Sequence, residues 1–469
     1  MERMSQPPNI LLITADQLRY DCLGSSGHYL VRTPNLDELG REGAVFTNAY
    51  SHFPVCCPAR QSMLHGRRPE TFGALWNFNT ALPVASLQPD DFTWSKALAE
   101  QGYTSAYLGK WGVHPDLDAS AFGYGTVIGE ERYTNFLETS YPGINYTGGV
   151  FGEANPVPLE DSHTHWFAKR GIEELERLQS EEGPWHLALH FSEPHLPCRP
   201  SEPYADMYDP AGITPWPSFG ETFENKPYIQ KQHLINWGVE HFTWEDWAPI
   251  VARYLGIVSQ LDEAIGRVLK AVHDENTLVI FTADHGDMGG SHRMFDKHYV
   301  LYDDVIRVPL LMRWKGVIPP GTKRSEFVYN FLDLPPTLLE AAGNEKEAPF
   351  RLQGESLLPL LNPDVSGEVN WRTSVVSSYN GQHFGLFNQR MLRTDRFKYI
   401  WNMTDIDELY DLEKDSAELK NEIRNPAYSE ILKELRAGLY EQLQLDGDGV
   451  ARGFGAERQL LGNVKITSH

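Results

Sequence analysis

At 469 residues the chain is long enough for about three average domains, or for one large α/β domain with an appendage, and its 41% hydrophobic and 22% charged content excludes a disordered, collagen-like or fibrous protein. No run approaches the ~18 uninterrupted apolar residues of a membrane-spanning helix. Lys+Arg total 41 against 64 Asp+Glu, a net charge of −23, so nucleic acid and anionic lipid are repelled and any anion site must be built locally from a metal, Arg, Lys and helix N-termini.

Short apolar runs alternate with helix-like segments over the first ~320 residues. Asn9–Ala15 (NILLITA) reads as a buried strand. It begins almost at the first residue, with no basic-then-apolar leader before it, and the expectation is a cytoplasmic protein. Thr33-Pro34 opens a helix with an N-cap and a proline at its first position. Thr93 caps a helix over Trp94–Gln101, Gly102 ends it, and Tyr103–Leu108 follows as a strand. Thr164–Leu178 carries a helical stripe, Trp185–Phe191 reads as a strand, Tyr254–Leu269 as a helix and Leu278–Ala283 as another buried strand. The stretch Pro200–Trp247 has no clear period and is expected to be a long lid or binding loop. Near Asn370 the texture changes: Ser374–Tyr379, Phe384–Leu386 and Phe397–Trp401 read as short antiparallel strands, and Tyr428–Leu445 as an amphipathic helix. The tail after Asp446 is Gly-rich and is expected to wrap the surface or fray. The organisation is thus α/β, with a large, mostly parallel sheet flanked by helices over residues 1–370 and a smaller α+β unit with an antiparallel sheet over 371–469.

Four polar clusters fall at the carboxyl ends of the expected strands: Asp16-Gln17, Lys110 with His114, His195, and Asp284-His285. In an open parallel sheet ligands bind outside those ends, so one crevice can gather all four. Asp16 and Asp284 are hard oxygen donors, Gln17 adds a carbonyl oxygen and His285 an imidazole, a set that suits Ca²⁺, or Mn²⁺, better than zinc. Four scattered cysteines (Cys22, Cys56, Cys57 and Cys198) form no disulfide framework and no CxxC. In SHFPVCCPARQSMLHGRRP, Pro58 can begin a helix and Gly66 can end it, which puts Cys56 at or beside the N-cap. The helix macrodipole and Arg60 then favour an anion at that end, and the expected thiol has a depressed pKa.

The pattern C-x-P-x-R-x-x-x-L-x-G over Cys56 to Gly66 resembles the signature of type I sulfatases, a family of the alkaline phosphatase-like superfamily. The resemblance extends through PNILLITADQ, TPNLDELGREGAVFTNAYS, LGKW, FSEPHLP, FTADHGDMGGSHRMFDKH and DELYDLEKD. It implies oxidation of Cys56 to formylglycine by a maturation enzyme. It implies one divalent cation held by Asp16, Gln17, modified Cys56, Asp284 and His285, with Arg60 steadying the formylglycine. Lys110, His195 and Lys297 would contact the anionic group, with His195 or Lys297 as general acid, and Asn77 matches a substrate-facing Asn in some members. The implied activity is hydrolysis of a sugar or aryl sulfate monoester. The alternative is a phosphonate monoester or phosphodiester hydrolase, because Asp16-Gln17 and Asp284-His285 look like that branch and the choline-sulfatase branch. The usual G-K-x-H reads Gly109-Lys110-Trp111-Gly112, so His114, two residues late, is the substitute. His383 and the 200–247 loop are expected to shape the pocket for the alcohol. His163, His165 and His292 read as structural, and a homo-oligomer stays open.

Overall fold

A computed structural model of the chain describes residues 6–78, 80, 82–344, 348–361, 369–462 and 464–465. Strands β1 (Asn9–Asp16), β2 (Ala44–Phe46), β3 (Ala49–Tyr50), β4 (Thr104–Gly109), β5 (Thr126–Gly129), β6 (Trp185–Pro194), β7 (Thr277–Ala283), β8 (Leu310–Arg313), β9 (Thr322–Arg324) and β10 (Val328–Tyr329) belong to the larger part. Eight of them form one mixed sheet in the order β5-β4-β6-β1-β7-β8-β2-β9, and β3 pairs with β10. The five strands β5, β4, β6, β1 and β7 are parallel to one another, whereas β8 runs antiparallel to β7 and β2. All eight residues of β1 and all seven of β7 are buried, as expected of central parallel strands covered on both faces.

The helices over Pro34–Glu42, Trp94–Glu100, His163–Ser180 and Trp244–Lys270 cover this sheet. Thr93 caps its helix, accepting from Lys96 N at 3.4 Å. Thr33 does not cap with its side chain. The orphan amides of that helix are instead satisfied by Asp262, which accepts from Leu36 N at 2.8 Å and from Asn35 N at 3.2 Å. A four-stranded antiparallel sheet of β11 (Ser374–Gly381), β12 (Phe387–Thr394), β13 (Phe397–Asn402) and β14 (Glu408–Asp411) packs with the helix Ser429–Leu445.

Three sequence expectations are corrected. The aperiodic stretch 200–247 contains a helix, Tyr228–Trp237, whose buried residues are Gln230, His233 and Leu234; a polar buried face leaves no apolar period to read. Phe384–Leu386 is not a strand, because the second strand of the small sheet is β12. That strand buries Gln389 and Arg390, and Arg390 pairs with Asp448 at 2.5 Å, so apolar alternation hides it. The tail folds into the helix Phe454–Leu460, seating Ala456 and Leu460 in the same cluster as Leu439 and Leu443. Among the described residues no helix is long and apolar enough to cross a membrane.

Candidate active site

Because β4, β6, β1 and β7 are adjacent and parallel, their carboxyl ends lie side by side, and Lys110, His195, Asp16 and Asp284-His285 converge there. The close approach of β4 to β6 depends on Gly109, at φ +94°, where a Cβ would lie 1.9 Å from the His190 carbonyl oxygen. That approach lets Lys110 N donate to the same oxygen at 2.9 Å.

The helix that carries Cys56 spans Cys56–His65, with Val55 as an N-cap that makes no side-chain hydrogen bond and Gly66 in the left-handed region at φ +77° as C-cap. Cys56 is therefore its first residue. Asn77 supplies the missing cap: its Oδ1 accepts from Cys57 N at 3.1 Å. The Asn77 carbonyl thus holds the helix end that presents Cys56.

Cys56 Sγ donates to Asp16 Oδ1 at 3.6 Å and lies 3.3 Å from His285 Nε2 and 3.8 Å from Lys110 Nζ. Ligand atoms of Asp16, Cys56, Asp284 and His285 all fall within 4.8 Å of one another, and all four residues are buried. Two buried carboxylates this close need countercharge. Arg60, without solvent exposure, donates from Nη2 to Asp16 Oδ2 at 3.0 Å and from Nε to Asp284 Oδ2 at 3.2 Å. Lys110 Nζ lies 2.6 Å from Asp16 Oδ2. Burial pushes the Asp16 carboxyl up, but its neighbouring cations, Lys110 first and Arg60 with it, outweigh it and hold the group well below its usual value.

The donor set fits a divalent cation. His285 Nδ1 donates to the Gly286 carbonyl at 3.0 Å, leaving the Nε2 lone pair directed into the cluster. Two carboxylates, one imidazole nitrogen and the Cys56 position supply mostly hard donors once that side chain carries oxygen. Gln17 stands differently from the expectation. Its backbone takes φ +68°, its Oε1 accepts from Lys297 Nζ at 2.8 Å, and its Nε2 donates to Asp296 at 3.1 Å and to Asp287. Asp287 and Asp296, which the sequence reading did not single out, therefore orient this amide. Both lie within FTADHGDMGGSHRMFDKH, the run that also carries Asp284 and Lys297.

The expected depressed thiol pKa is overturned. Burial, followed by the Asp16 charge, pushes the Cys56 thiol up to about 11, more than Lys110 and Lys297 lower it. His195 is kept neutral, its pKa lowered by burial, Lys297 and Lys110. His114 does not reach the cluster: its Nδ1 accepts from Asp116 N and Leu117 N, both at 3.0 Å, in a local turn. Gly112, at φ +72°, lies where a Cβ would come 3.1 Å from Arg60 Cδ, so a histidine side chain there would press on Arg60. His383 is exposed and stacks on His298 at 4.7 Å and on Trp237 at 5.8 Å. His298 in turn binds Asp296 at 3.0 Å, so His383 stands three contacts away from the Gln17 amide.

The mixed sheet with this buried Asp-Cys-Asp-His cluster at its strand ends defines a metal-binding hydrolase of the alkaline phosphatase-like superfamily. The sulfatase family profile matches residues 8–344, and a profile described as the C-terminal region of N-sulphoglucosamine sulphohydrolase matches 290–445. The chain belongs to the sulfatase family, whose activity is hydrolysis of a sulfate ester. It is 28% identical to an arylsulfatase of Clostridium perfringens, over 95% of this chain and 98% of that one. It is 27% identical to a Delta 4,5-hexuronate-2-O-sulfatase of Bacteroides thetaiotaomicron, over 94% and 92%. Among solved structures, the phosphonate monoester hydrolase of Agrobacterium radiobacter superposes with a TM-score of 0.77 at 26% identity, covering 94% of this chain and 95% of that chain.

Proposed function

We propose that the chain hydrolyses a sugar or aryl sulfate monoester to an alcohol and inorganic sulfate through Cys56 after its oxidation to formylglycine by a maturation enzyme. The observation that carries this reading is the placement of Cys56 at the first turn of its helix, within 4 Å of Asp16, His285 and Lys110. Asp16, Asp284 and His285, completed by the modified side chain and by Gln17 if its amide turns, would hold one divalent cation, Ca²⁺ before Mn²⁺. When bound, the cation acts as a Lewis acid that offsets charge on the sulfate and acidifies hydroxyl groups.

The hydrated aldehyde at position 56 carries two hydroxyls on one carbon. One hydroxyl gives up its proton to water and its oxygen bonds to sulfur as the bond from sulfur to the alcohol oxygen breaks. Lys110 and Lys297 offset the charge on the remaining sulfate oxygens. Lys297 Nζ, held by Gln17 Oε1 and His195 Nε2 at 2.8 and 2.9 Å, is placed to protonate the departing alcohol. Water takes the proton of the second hydroxyl, which restores the carbonyl and expels sulfate, an elimination that an ordinary serine or cysteine ester cannot perform. Arg60 steadies the residue from below through both carboxylates.

The likeness to a phosphonate monoester hydrolase supports a second reading, in which a phosphonate monoester or phosphodiester is the better substrate. Lys110 favours the sulfate monoester, because a further donor beside Asp16 suits its three terminal oxygens better than the two of a phosphonate monoester or phosphodiester. Two measurements on one preparation decide. Peptide mass spectrometry should find the Cys56 side chain short of one sulfur and two hydrogens and richer by one oxygen. Paired kinetics should show 4-nitrophenyl sulfate turned over faster than a phenylphosphonate monoester. An unmodified Cys56 in the native host, or a faster phosphonate, rejects the reading.

A further inference from the structure

Beside the cluster a cleft of about 320 Å³ opens, lined by Lys110 and His195. Lys110 Nζ also lies 3.8 Å from Cys56 Sγ, so this lysine links the cleft to the reacting group. The cleft is also lined by Glu130, which follows β5, Glu193 near the end of β6, and His163, the first residue of its helix.

His163 lies between the two carboxylates. Its Nε2 is 2.7 Å from Glu130 Oε2 and its Nδ1 is 2.9 Å from Glu193. Carboxylate acceptors on both ring nitrogens require both to carry protons, so the trio is one imidazolium with two carboxylates and keeps a net negative charge. Burial alone would lower the His163 pKa, but Glu193 and Glu130 outweigh it and hold it well above the usual value. Ser192 Oγ donates to the other oxygen of Glu130 at 2.8 Å. Glu130 is the accessible member, its side chain 38% exposed against 15% for Glu193 and for His163. Arg199 also lines the cleft, but it is engaged elsewhere: its guanidinium carbon lies 3.9 Å from the Tyr146 ring centre and its Nε 3.5 Å from Glu153 Oε1.

We propose that this carboxylate-walled cleft seats the alcohol half of the ester, selecting a small neutral alcohol rich in hydroxyl donors, such as a singly sulfated hexose, and rejecting alcohols that carry their own carboxylate. The assignment rests on the sulfatase reading and deepens it. Ionised carboxylates accept from hydroxyls more strongly than neutral groups do. They also repel a second anion, Glu193 from an enclosed position and Glu130 from a more solvated one. The cleft is at the small end of the ~300–1,000 Å³ range of small-molecule sites. The net charge of −23 further disfavours a long polyanionic chain.

The test uses the full chain with Cys56 modified, as wild type, Glu130→Gln and Glu130→Ala, each checked by thermal melting. The measurements are kcat/KM for galactose 6-sulfate, a hexuronate 2-sulfate and 4-nitrophenyl sulfate. Wild type should favour the hexose ester over the hexuronate ester by about tenfold or more. E130Q keeps an acceptor but removes the charge, and should shrink that preference about tenfold, chiefly through KM. E130A should lower the ratio of hexose to aryl ester by about tenfold. If E130A does not fold, E130Q carries the test alone. A wild type that prefers the hexuronate ester, or ratios that neither variant moves, overturns the cleft assignment alone. No turnover of any of the three esters by the modified enzyme overturns the sulfatase reading, and this assignment with it.

Discussion

Lys297 Nζ donates to His195 Nε2 across 2.9 Å, while His195 Nδ1 donates to the carbonyl of Leu196 at 2.6 Å. The imidazole is thus committed as an acceptor toward the pocket, and the lysine holds the protons. Of the two residues that the sequence left as candidates for the general acid, the proposed mechanism takes Lys297, because this pairing leaves the protons on the lysine.

Replacing Lys297 with alanine should therefore slow hydrolysis in a way that depends on the leaving group. The expected loss is about 10²–10⁴-fold for esters of poorly acidic alcohols, the usual worth of general acid catalysis. It should be much smaller for 4-nitrophenyl sulfate, whose phenolate leaves without help. A series of aryl sulfates of graded phenol pKa checks this; an equal loss across the series would return the acid role to another group.

Removal of divalent cations should abolish turnover and lower the melting temperature. Asp16 and Asp284 face each other across a buried cluster, and an ion bound only by the folded state at about 100 times its Kd stabilises by roughly 2.7 kcal/mol. Chelation followed by titration with Ca²⁺, Mn²⁺ and Zn²⁺, read by calorimetry and by activity, measures both effects. Calcium should restore both, and Asp284→Asn should abolish the thermal response.

Arg60 bridges the same two carboxylates with no solvent contact. Arg60→Ala leaves buried charge uncompensated and should cost about 3–5 kcal/mol of stability. Arg60→Lys, which keeps the charge but loses the fork that reaches both carboxylates, should fall between wild type and alanine. Urea unfolding of the three proteins with calcium present gives the order.

Asp262 offers a pH test away from the site. It caps the helix Pro34–Glu42, and burial raises its pKa to about 6 against backbone and Asn35 hydrogen bonds that lower it. A carboxyl whose folded pKa is raised binds its proton better in the fold, so its contribution to stability is largest below about pH 4 and is lost as pH rises from about 4 to 6. Asp262→Asn removes the titration and keeps an acceptor. The stability difference between D262N and wild type should grow in favour of the variant by on the order of 2–3 kcal/mol between pH 4 and pH 7. Urea midpoints at several pH values would show a flat difference if the group titrates normally.

The central strands were legible because they are apolar, short and closed by polar residues, and their parallel pairing followed from the helices between them. What escaped were elements whose buried faces are polar. The helix Tyr228–Trp237 buries Gln230 and His233, and β12 buries Gln389 and Arg390; each satisfies those groups through partners distant in the chain, such as Tyr302 for Gln230 and Asp448 for Arg390. Local periodicity carries no trace of such pairings. His163 read as structural for the same reason: its partners Glu130 and Glu193 are 33 and 30 residues away.

The order of residues alone determined the family signature around Cys56, the strand ends that bear Asp16, Lys110, His195 and Asp284, and the acidity of the whole molecule. Only the folded chain decided what each group does there. Asn77 caps a helix, His114 turns away, Gln17 is engaged by Lys297, and the Cys56 thiol is harder, not easier, to ionise. The reason is physical: spacing along the chain sets which groups arrive at a strand end, but burial and the charges that close in from other strands set their ionisation and their hydrogen-bond direction, and those neighbours exist only after folding.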